Sequence, residues 1–263
     1  MTDITEEDID AMRERIARAL LADAGDEARR ESDELSTMGA LDELSAARAR
    51  IESLLDTDPV VAREVFPGPG EGGAPRVPVD LHERPYIQTC GGRFIDLMHP
   101  KADDISTLDI VTALGGIRRF NGHAGDYTVL DHSLHVHDIV KLWRPEAPPL
   151  WLGALLHDAH EAYLGDDSTP KQRAMQSDAL TALRDGFDAA IAERYGMQSD
   201  WLHAWEVQRA DRLALEAEAW AHLPGHGWLT EQPVELIVRR AEPDVVFMLK
   251  LREALDGVKR VTA

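Results

Sequence analysis

Apolar side chains recur at helical spacing through most of the chain. From about residue 105 onward, this pattern predicts helices over 107–119, 131–143, 149–164, 174–195, 199–223 and 243–258. Before them, two short apolar segments flank Gly91-Gly92 and predict a β-hairpin. The body is therefore predicted to be all-α with one small hairpin.

The spacing of apolar residues also predicts helices in the first 66 residues, which form a separate unit. A Thr-x-x-Asp helix-start signature at Thr5 precedes one amphipathic stretch, and a second stretch covers residues 38–56. About half of the net charge of −20 lies in this unit. Residues 67–80 are rich in proline and glycine and predict a linker to a domain over 81–263. We expect residues 1–66 to be a helical appendage that docks on the body, on a sister subunit or on another partner.

Composition narrows the class of protein. A hydrophobic fraction of 44% over 263 residues is enough for a packed core. The strong negative charge disfavours binding to a nucleic-acid polymer, whose phosphates attract clustered lysine and arginine. Apolar runs are too short to cross a membrane, and the acidic N-terminus does not resemble a secretion signal. Cys90, the single cysteine, cannot form an internal disulfide, so we expect a cytoplasmic protein.

The stretch "LLHDAHEAYLGDDSTPK" (155–171) places His157 and Asp158 behind an apolar run. A buried aspartate is costly unless it is paired or bound to a cation. Glu161 follows His157 by one helical turn and is therefore expected on the same face. Further ligands would have to come from other helices. His132 is a candidate because it begins a helix whose residues at i+4, i+7 and i+8 are apolar, and Asp211 is a candidate because it borders an apolar stripe.

A second His-Asp pair, His137-Asp138, competes with the first. His137 follows His132 by five residues, which is about 140° around a helix, so we expect it to face water. Isolated histidines near the motif are more often structural than ligands, and His135 and His160 are expected to be surface groups or to support the ligands.

The chain from about Tyr86 to Arg252 resembles the HD-domain metal-dependent phosphohydrolases, particularly the bacterial and phage relatives of 5′-deoxynucleotidases and deoxynucleoside triphosphohydrolases. The resemblance lies in "RRFNGH", "YTVLDHS", "LLHDAHEAYLGDDSTPK" and "QRADRLALEAEAW". The family signature of a histidine, a His-Asp pair and a distant aspartate falls on His132, His157, Asp158 and Asp211. It implies an HD-domain helical bundle in which these four residues hold one divalent transition metal, namely Mn, Co, Fe or Zn.

The resemblance also implies roles around the metal. Glu161 is expected to act as general acid or base or to orient water, and Asp166 to contact the sugar hydroxyl. Arg119 and Phe120 match an Arg-aromatic pair that holds phosphate and packs on sugar or base. Second choices for contact with the substrate are Arg118, His123 and Lys171.

The leading function is metal-dependent hydrolysis of a small nucleotide, most directly 5′-nucleotidase action on a deoxynucleoside monophosphate. Removal of triphosphate from a dNTP such as dATP, with additional Mg, would use the same ligands. A third reading is a catalytically silent HD scaffold that acts through residues 1–66. Dinuclear HD enzymes have additional histidines between the His-Asp pair and the last aspartate. Here only His160 and His203 lie in that interval, so the resemblance implies one tightly held ion.

Overall fold

The structure is a computed structural model that describes residues 84–166, 168–175, 177–229, 233 and 243–262. The predicted appendage (1–66) and linker (67–80) lie outside the described residues. The account of the fold therefore concerns the predicted body.

The predicted hairpin is confirmed. Strand β1 (Tyr86–Gln88) pairs antiparallel with β2 (Phe94–Asp96), and Ile87 lies opposite Ile95. The Asp109 carboxylate accepts a hydrogen bond of 2.9 Å from the Gly91 N–H, which fastens the turn to the first helix.

The rest of the described chain is helical. The α-helices are α1 (Thr107–Gly116), α2 (Val129–Trp143), α3 (Pro148–Leu156), α4 (Glu161–Leu164), α5 (Thr169–Met175), α6 (Asp178–Arg194), α7 (Trp205–His222) and α8 (Pro243–Thr262). Short 3-10 turns cover Ala102–Asp104, Arg119–Gly122, Ser199–Trp201 and Pro224–His226. An all-α architecture with one small sheet is thus confirmed for these residues. No helix in the described part of the chain has the length and apolarity needed to cross a lipid bilayer.

The start of α2 is fixed by a capping box. The Thr128 hydroxyl accepts a hydrogen bond from the Asp131 N–H, and the Asp131 carboxylate accepts one from the Thr128 N–H. Such a reciprocal cap satisfies two backbone donors that the first turn leaves without a helical partner. It begins α2 at Val129, two residues before the predicted start, and holds His132 in the first turn.

Helix α2 lies at the centre of the bundle and packs against α1, α3, α7 and α8. Leu134, Leu152, Leu155 and Phe247 are fully buried in this core or nearly so. Burial of each such side chain stabilises the fold by about 1.5–3 kcal/mol. The packing brings the start of α2, the end of α3 and the middle of α7 to one side of the bundle.

Several predicted helices are shorter than the pattern indicated. The predicted helix 149–164 is wrong as one element, because α3 ends at Leu156 and α4 begins at Glu161. Between them the Ala159 N–H bonds the Leu156 carbonyl and the Glu161 N–H bonds the Asp158 carbonyl, both at 3.0 Å. The Ala154 carbonyl accepts from His157 Nδ1 at 2.8 Å, so a side chain competes for a carbonyl of the last helical turn. The predicted helix 174–195 is likewise divided, between Met175 and Asp178.

His137 is not exposed, contrary to the prediction. Its side chain is fully buried, because α8 packs over this face of α2. His137 Nδ1 lies 2.9 Å from Asp138 Oδ1, and the same oxygen accepts a hydrogen bond from Lys250 Nζ at 2.6 Å. Burial lowers the pKa of His137 in spite of the adjacent Asp138 carboxylate. This His-Asp pair belongs to the contact between two helices.

Candidate metal centre

The four predicted ligands come from three parts of the chain and lie close together. His132 lies in the first turn of α2, His157 and Asp158 follow α3, and Asp211 lies in α7. His132 Nε2 is 3.3 Å from His157 Nε2, 3.6 Å from Asp158 Oδ2 and 3.1 Å from Asp211 Oδ1. His157 Nε2 is 3.2 Å from Asp158 Oδ2. The structure therefore brings His132, His157 and Asp158 into one group, and Asp211 joins this group through its contact with His132.

The other ring nitrogen of each histidine contacts an acceptor. His132 Nδ1 lies 2.6 Å from Glu218 Oε1, and His157 Nδ1 lies 2.8 Å from the Ala154 carbonyl oxygen. A proton on Nδ1 is donated to these acceptors, so that each Nε2, once it has lost its own proton, presents a lone pair to the cluster. Metal-binding histidines are held in this way, since the acceptor behind the ring fixes both tautomer and orientation.

The spacing of the donor atoms fits a metal ion. Bonds of about 2.0–2.2 Å at angles between octahedral and tetrahedral place neighbouring ligand atoms about 2.8–3.6 Å apart. Donor atoms of His132, His157 and Asp158 all lie within 4.8 Å of one another, and the contacts made by His132 Nε2 fall between 3.1 and 3.6 Å. This group could hold a metal ion.

The protein balances the charges of this cluster with protons. Burial and Arg119 act to lower the pKa of His132, but Glu218 and Asp211 prevail and raise it to about 10. Burial opposes ionisation of Asp158, yet His157 and His132 hold the pKa of its carboxyl far below the usual range. The cluster thus attracts positive charge, which a divalent cation would supply in place of the protons.

Glu218 was not predicted, although it supports the cluster directly. Its carboxylate is fully buried and accepts hydrogen bonds from Arg119 Nε at 3.1 Å and Nη2 at 2.8 Å, and from the Tyr127 hydroxyl at 3.3 Å. Despite burial, Arg119 and His132 lower the pKa of Glu218 to about 2. Glu218 follows Asp211 by seven residues on α7, so two-turn spacing along the apolar stripe was the signal that could have found it.

The ion pair with Glu218 changes the interpretation of Arg119. Two of its guanidinium nitrogens bond the carboxylate, and the side chain is only 12% exposed. Arg119 also lines the cleft beside the cluster. Arg119 therefore contacts Glu218, which supports His132, and also lines the cleft in which a ligand would sit.

A cleft of about 840 Å³ adjoins the cluster, with Asp158 and Asp211 in its wall. Of the predicted residues, Arg119, Phe120, His123, Glu161 and Asp166 line it. Arg184, Leu215 and Trp228 line it too and were not predicted.

Two of the predicted substrate contacts do not line this cleft as the structure describes it. Arg118 is exposed and donates a hydrogen bond from Nη1 to the Gly125 carbonyl at 2.8 Å, which fastens the loop before α2. Lys171 is exposed on α5. Neither side chain lies next to the cluster formed by His132, His157, Asp158 and Asp211.

Glu161 lies beside the cluster at the start of α4. Its side chain is buried, and Oε2 accepts no hydrogen bond from the described residues. Burial raises the pKa of Glu161 strongly, and the nearby carboxylates of Asp158 and Asp166 add to this effect. Glu161 can therefore carry a proton near neutral pH.

His160 is half-buried and lies next to Asp158 rather than on the outer surface. Donor atoms of Asp158, His160 and Glu161 lie within 4.8 Å of one another. His160 Nδ1 is 3.0 Å from the buried Asp188, whose other oxygen is 3.1 Å from His203 Nε2. The predicted supporting position of His160 agrees with this arrangement.

Comparison with known proteins gives relatives of undetermined activity. No family model matches the sequence. An uncharacterized protein of Rhodobacter capsulatus is 31% identical over 174 residues, which cover 65% of this chain and 87% of that protein. The uncharacterized protein YfdR of Escherichia coli K12 is 31% identical over 134 residues, which cover 51% of this chain and 70% of YfdR. The chain belongs to the same protein family as these two relatives.

Proposed function

We propose that the protein is an HD-domain metal-dependent phosphohydrolase that cleaves phosphate from a small nucleotide, most directly a deoxynucleoside 5′-monophosphate. The observation that carries the proposal is the group formed by His132, His157 and Asp158, with Asp211 in contact with His132 and both histidine rings held from behind. Their order along the chain is that of the HD signature. The helical bundle is consistent with an HD domain.

The cleft suits a nucleotide in size and in the distribution of polar groups. Ligand pockets commonly have volumes of about 300–1,000 Å³, and the cleft measures about 840 Å³. Asp158, Asp211 and Arg119 belong to its polar part. Phe120 and Leu215 are apolar contributors to the same wall. A phosphate placed at the metal cluster would leave the sugar and base in the remainder of the cleft.

The reaction transfers the phosphoryl group to water. The bond from phosphorus to the sugar 5′ oxygen breaks, a bond from phosphorus to the water oxygen forms, and the nucleoside and inorganic phosphate leave. A divalent cation, when bound by the four ligands, polarises a phosphoryl oxygen and lowers the pKa of water. Arg119 contributes positive charge beside the phosphate and orients it.

Glu161 handles the proton in this scheme. It lies three residues beyond Asp158 and outside the proposed ligand set, and its raised pKa allows it to hold a proton near neutral pH. From this position Glu161 accepts the proton of the attacking water or gives one to the departing sugar oxygen. Asp166, which lines the same cleft, is assigned to the sugar hydroxyl.

A specific observation favours a second candidate, removal of triphosphate from a dNTP. A further cavity of about 380 Å³ shares Glu161 and Arg184 with the cleft, and Arg173 lines it as well. Arg184 Nε is buried and makes no hydrogen bond within the described chain. Two arginines along this path could receive additional phosphates, together with Mg carried by the nucleotide.

The proposal is tested by measuring the release of phosphate from the dNMPs, NMPs and dNTPs. The protein is first treated with EDTA and is then supplied with Mn, Co or Zn. We expect activity to disappear with EDTA and to return with a transition metal. Release of inorganic phosphate indicates the nucleotidase, whereas release of triphosphate indicates the second candidate. Asp158→Ala should be inactive. Asp138→Ala, which alters the other His-Asp pair, is the matched control and should remain active. Absence of hydrolysis with every nucleotide and metal would contradict the proposal and favour a scaffold.

A further inference from the structure

We propose that Trp228 forms an aromatic subsite of the cleft that stacks on the heteroaromatic base of the nucleotide. The inference rests on the proposed function, because it takes the phosphate to lie at the metal cluster. Trp228 is 59% exposed, and it lines the cleft that contains Asp158 and Asp211. Of the large apolar side chains that are exposed in the described chain, it is the one that lines this cleft.

The turn that presents Trp228 is held in a conformation that most residues avoid. His226 has a φ of 64°, in the left-handed region, and it lies between Gly225 and Gly227, whose φ values are 64° and 65°. A non-glycine residue keeps such a conformation only where its surroundings enforce it. Strain of this kind concentrates at ligand-binding sites, where it fixes the direction of a side chain.

Contacts with α7 enforce the conformation. The His226 ring stacks on Trp220, with ring centroids 3.8 Å apart and an interplanar angle of 13°. His226 Nδ1 also lies 3.1 Å from the Trp220 carbonyl oxygen. A Cβ at Gly227 would come within 3.2 Å of Ala219 Cβ, so the turn lies close against the helix. Trp228 therefore projects from a turn that is fixed against α7, the helix that also carries Asp211.

A second aromatic side chain of the cleft is presented in the same manner. Phe120 has a φ of 53° and ψ of 38°, and Asn121 has a φ of 53° and ψ of 31°. Leu215 and Leu223 complete the apolar part of the wall. Aromatic and aliphatic groups next to a polar, anion-binding centre match a ligand with a planar ring at one end and a phosphate at the other. Trp228 adds a stacking surface that the sequence resemblance did not assign.

Binding of two ligands that differ only in the base tests the inference. Full-length, metal-loaded protein is titrated with dAMP and with 2-deoxyribose 5-phosphate, and Kd is measured by calorimetry. Every protein in this comparison, including the one with native Trp228, carries Glu161→Gln so that dAMP is bound with little turnover. Stacking of a base on an aromatic side chain changes affinity about 5- to 150-fold. We expect Trp228→Ala to raise Kd for dAMP by a factor in this range and to leave Kd for 2-deoxyribose 5-phosphate unchanged. Trp228→Phe should retain most of the affinity for dAMP.

The matched control is Trp205→Ala, since Trp205 is 52% exposed at the start of α7 and does not line the described cleft. It should leave both Kd values unchanged. Equal affinity of the Trp228→Ala protein and the protein with native Trp228 for dAMP would overturn the inference, and so would an equal loss for both ligands. Failure of the protein with native Trp228 to bind any of the four dNMPs would overturn it as well. Intact base-dependent binding without turnover by wild type would contradict the proposed function alone.

Discussion

Glu218→Gln should weaken metal binding without altering any proposed ligand. The substitution keeps the size of the side chain but removes the charge that faces His132 Nδ1 at 2.6 Å. The imidazole then becomes a poorer donor at Nε2, and its orientation is less firmly held. Changes behind a metal-binding histidine typically reduce metal affinity about 10- to 100-fold. This corresponds to about 1.4–2.7 kcal/mol of binding free energy.

The same substitution should also destabilise the protein. Glu218 is fully buried, and the Arg119 side chain that bonds it is 12% exposed, so the guanidinium would lose its anionic partner in a place with little water. Loss of one partner of a buried ion pair costs about 3–5 kcal/mol of unfolding free energy. We expect the lower end of this range, because a glutamine oxygen can still accept one of the two hydrogen bonds.

Glu206→Gln is the matched control for both effects. Glu206 lies on the same helix, α7, and accepts hydrogen bonds from Nε and Nη2 of Arg144, at 3.3 and 2.9 Å. That pair is more exposed and contacts no histidine, so its loss should cost at most about 1 kcal/mol. Metal affinity is measured by competition with a chelator, and stability by urea unfolding in EDTA. Metal affinity of Glu218→Gln equal to that of Glu206→Gln would refute the role assigned to Glu218.

Three further substitutions test separate parts of the account. Asp158→Ala should remove bound metal and turnover together, as seen by metal analysis and phosphate release; a variant that kept both would refute its assignment as a ligand. Glu161→Gln should keep the metal but lower kcat about 10²- to 10⁴-fold, because it removes proton transfer only; loss of the metal would instead make Glu161 a ligand. His137→Asn should make the stability of the fold less sensitive to acid. The pKa of buried His137 is lowered, so the unfolded chain takes up a proton near pH 6.5 whereas the folded protein does not. Wild type should therefore lose up to about 1.4 kcal/mol of stability per pH unit below about 6.5 relative to the variant in urea unfolding, and parallel pH profiles would contradict this.

The sequence predicted which elements contribute residues to the cluster better than it predicted where those elements begin and end. Helical periodicity placed His132 at the start of a helix and Asp211 at the border of an apolar stripe, and the two side chains are 3.1 Å apart in the structure. Periodicity could not predict the break between Leu156 and Glu161, because it arises where the His157 side chain bonds a backbone carbonyl. Hydrogen bonds of this kind depend on tertiary position and leave no trace in the spacing of apolar residues.

Contacts between distant helices account for the other differences. His137 was predicted to face water because α2 was considered alone, whereas α8 covers it and supplies Lys250 to Asp138. Glu218 was overlooked because its spacing from Asp211 indicates only a shared helix face, and its support of His132 becomes evident once Arg119 and His132 are seen to contact it. The resemblance to HD-domain enzymes nominated the residues of the cluster, but not Glu218, which supports His132.

The central claim is that His132, His157, Asp158 and Asp211 bind one divalent metal together. Anomalous diffraction from crystals of the protein grown with Co tests it most directly. The account predicts a strong peak at about 2.0–2.2 Å from both Nε2 atoms and from one oxygen of each carboxylate. A peak that excludes either His132 or Asp211, or no peak within reach of the His157-Asp158 pair at saturating Co, would contradict it.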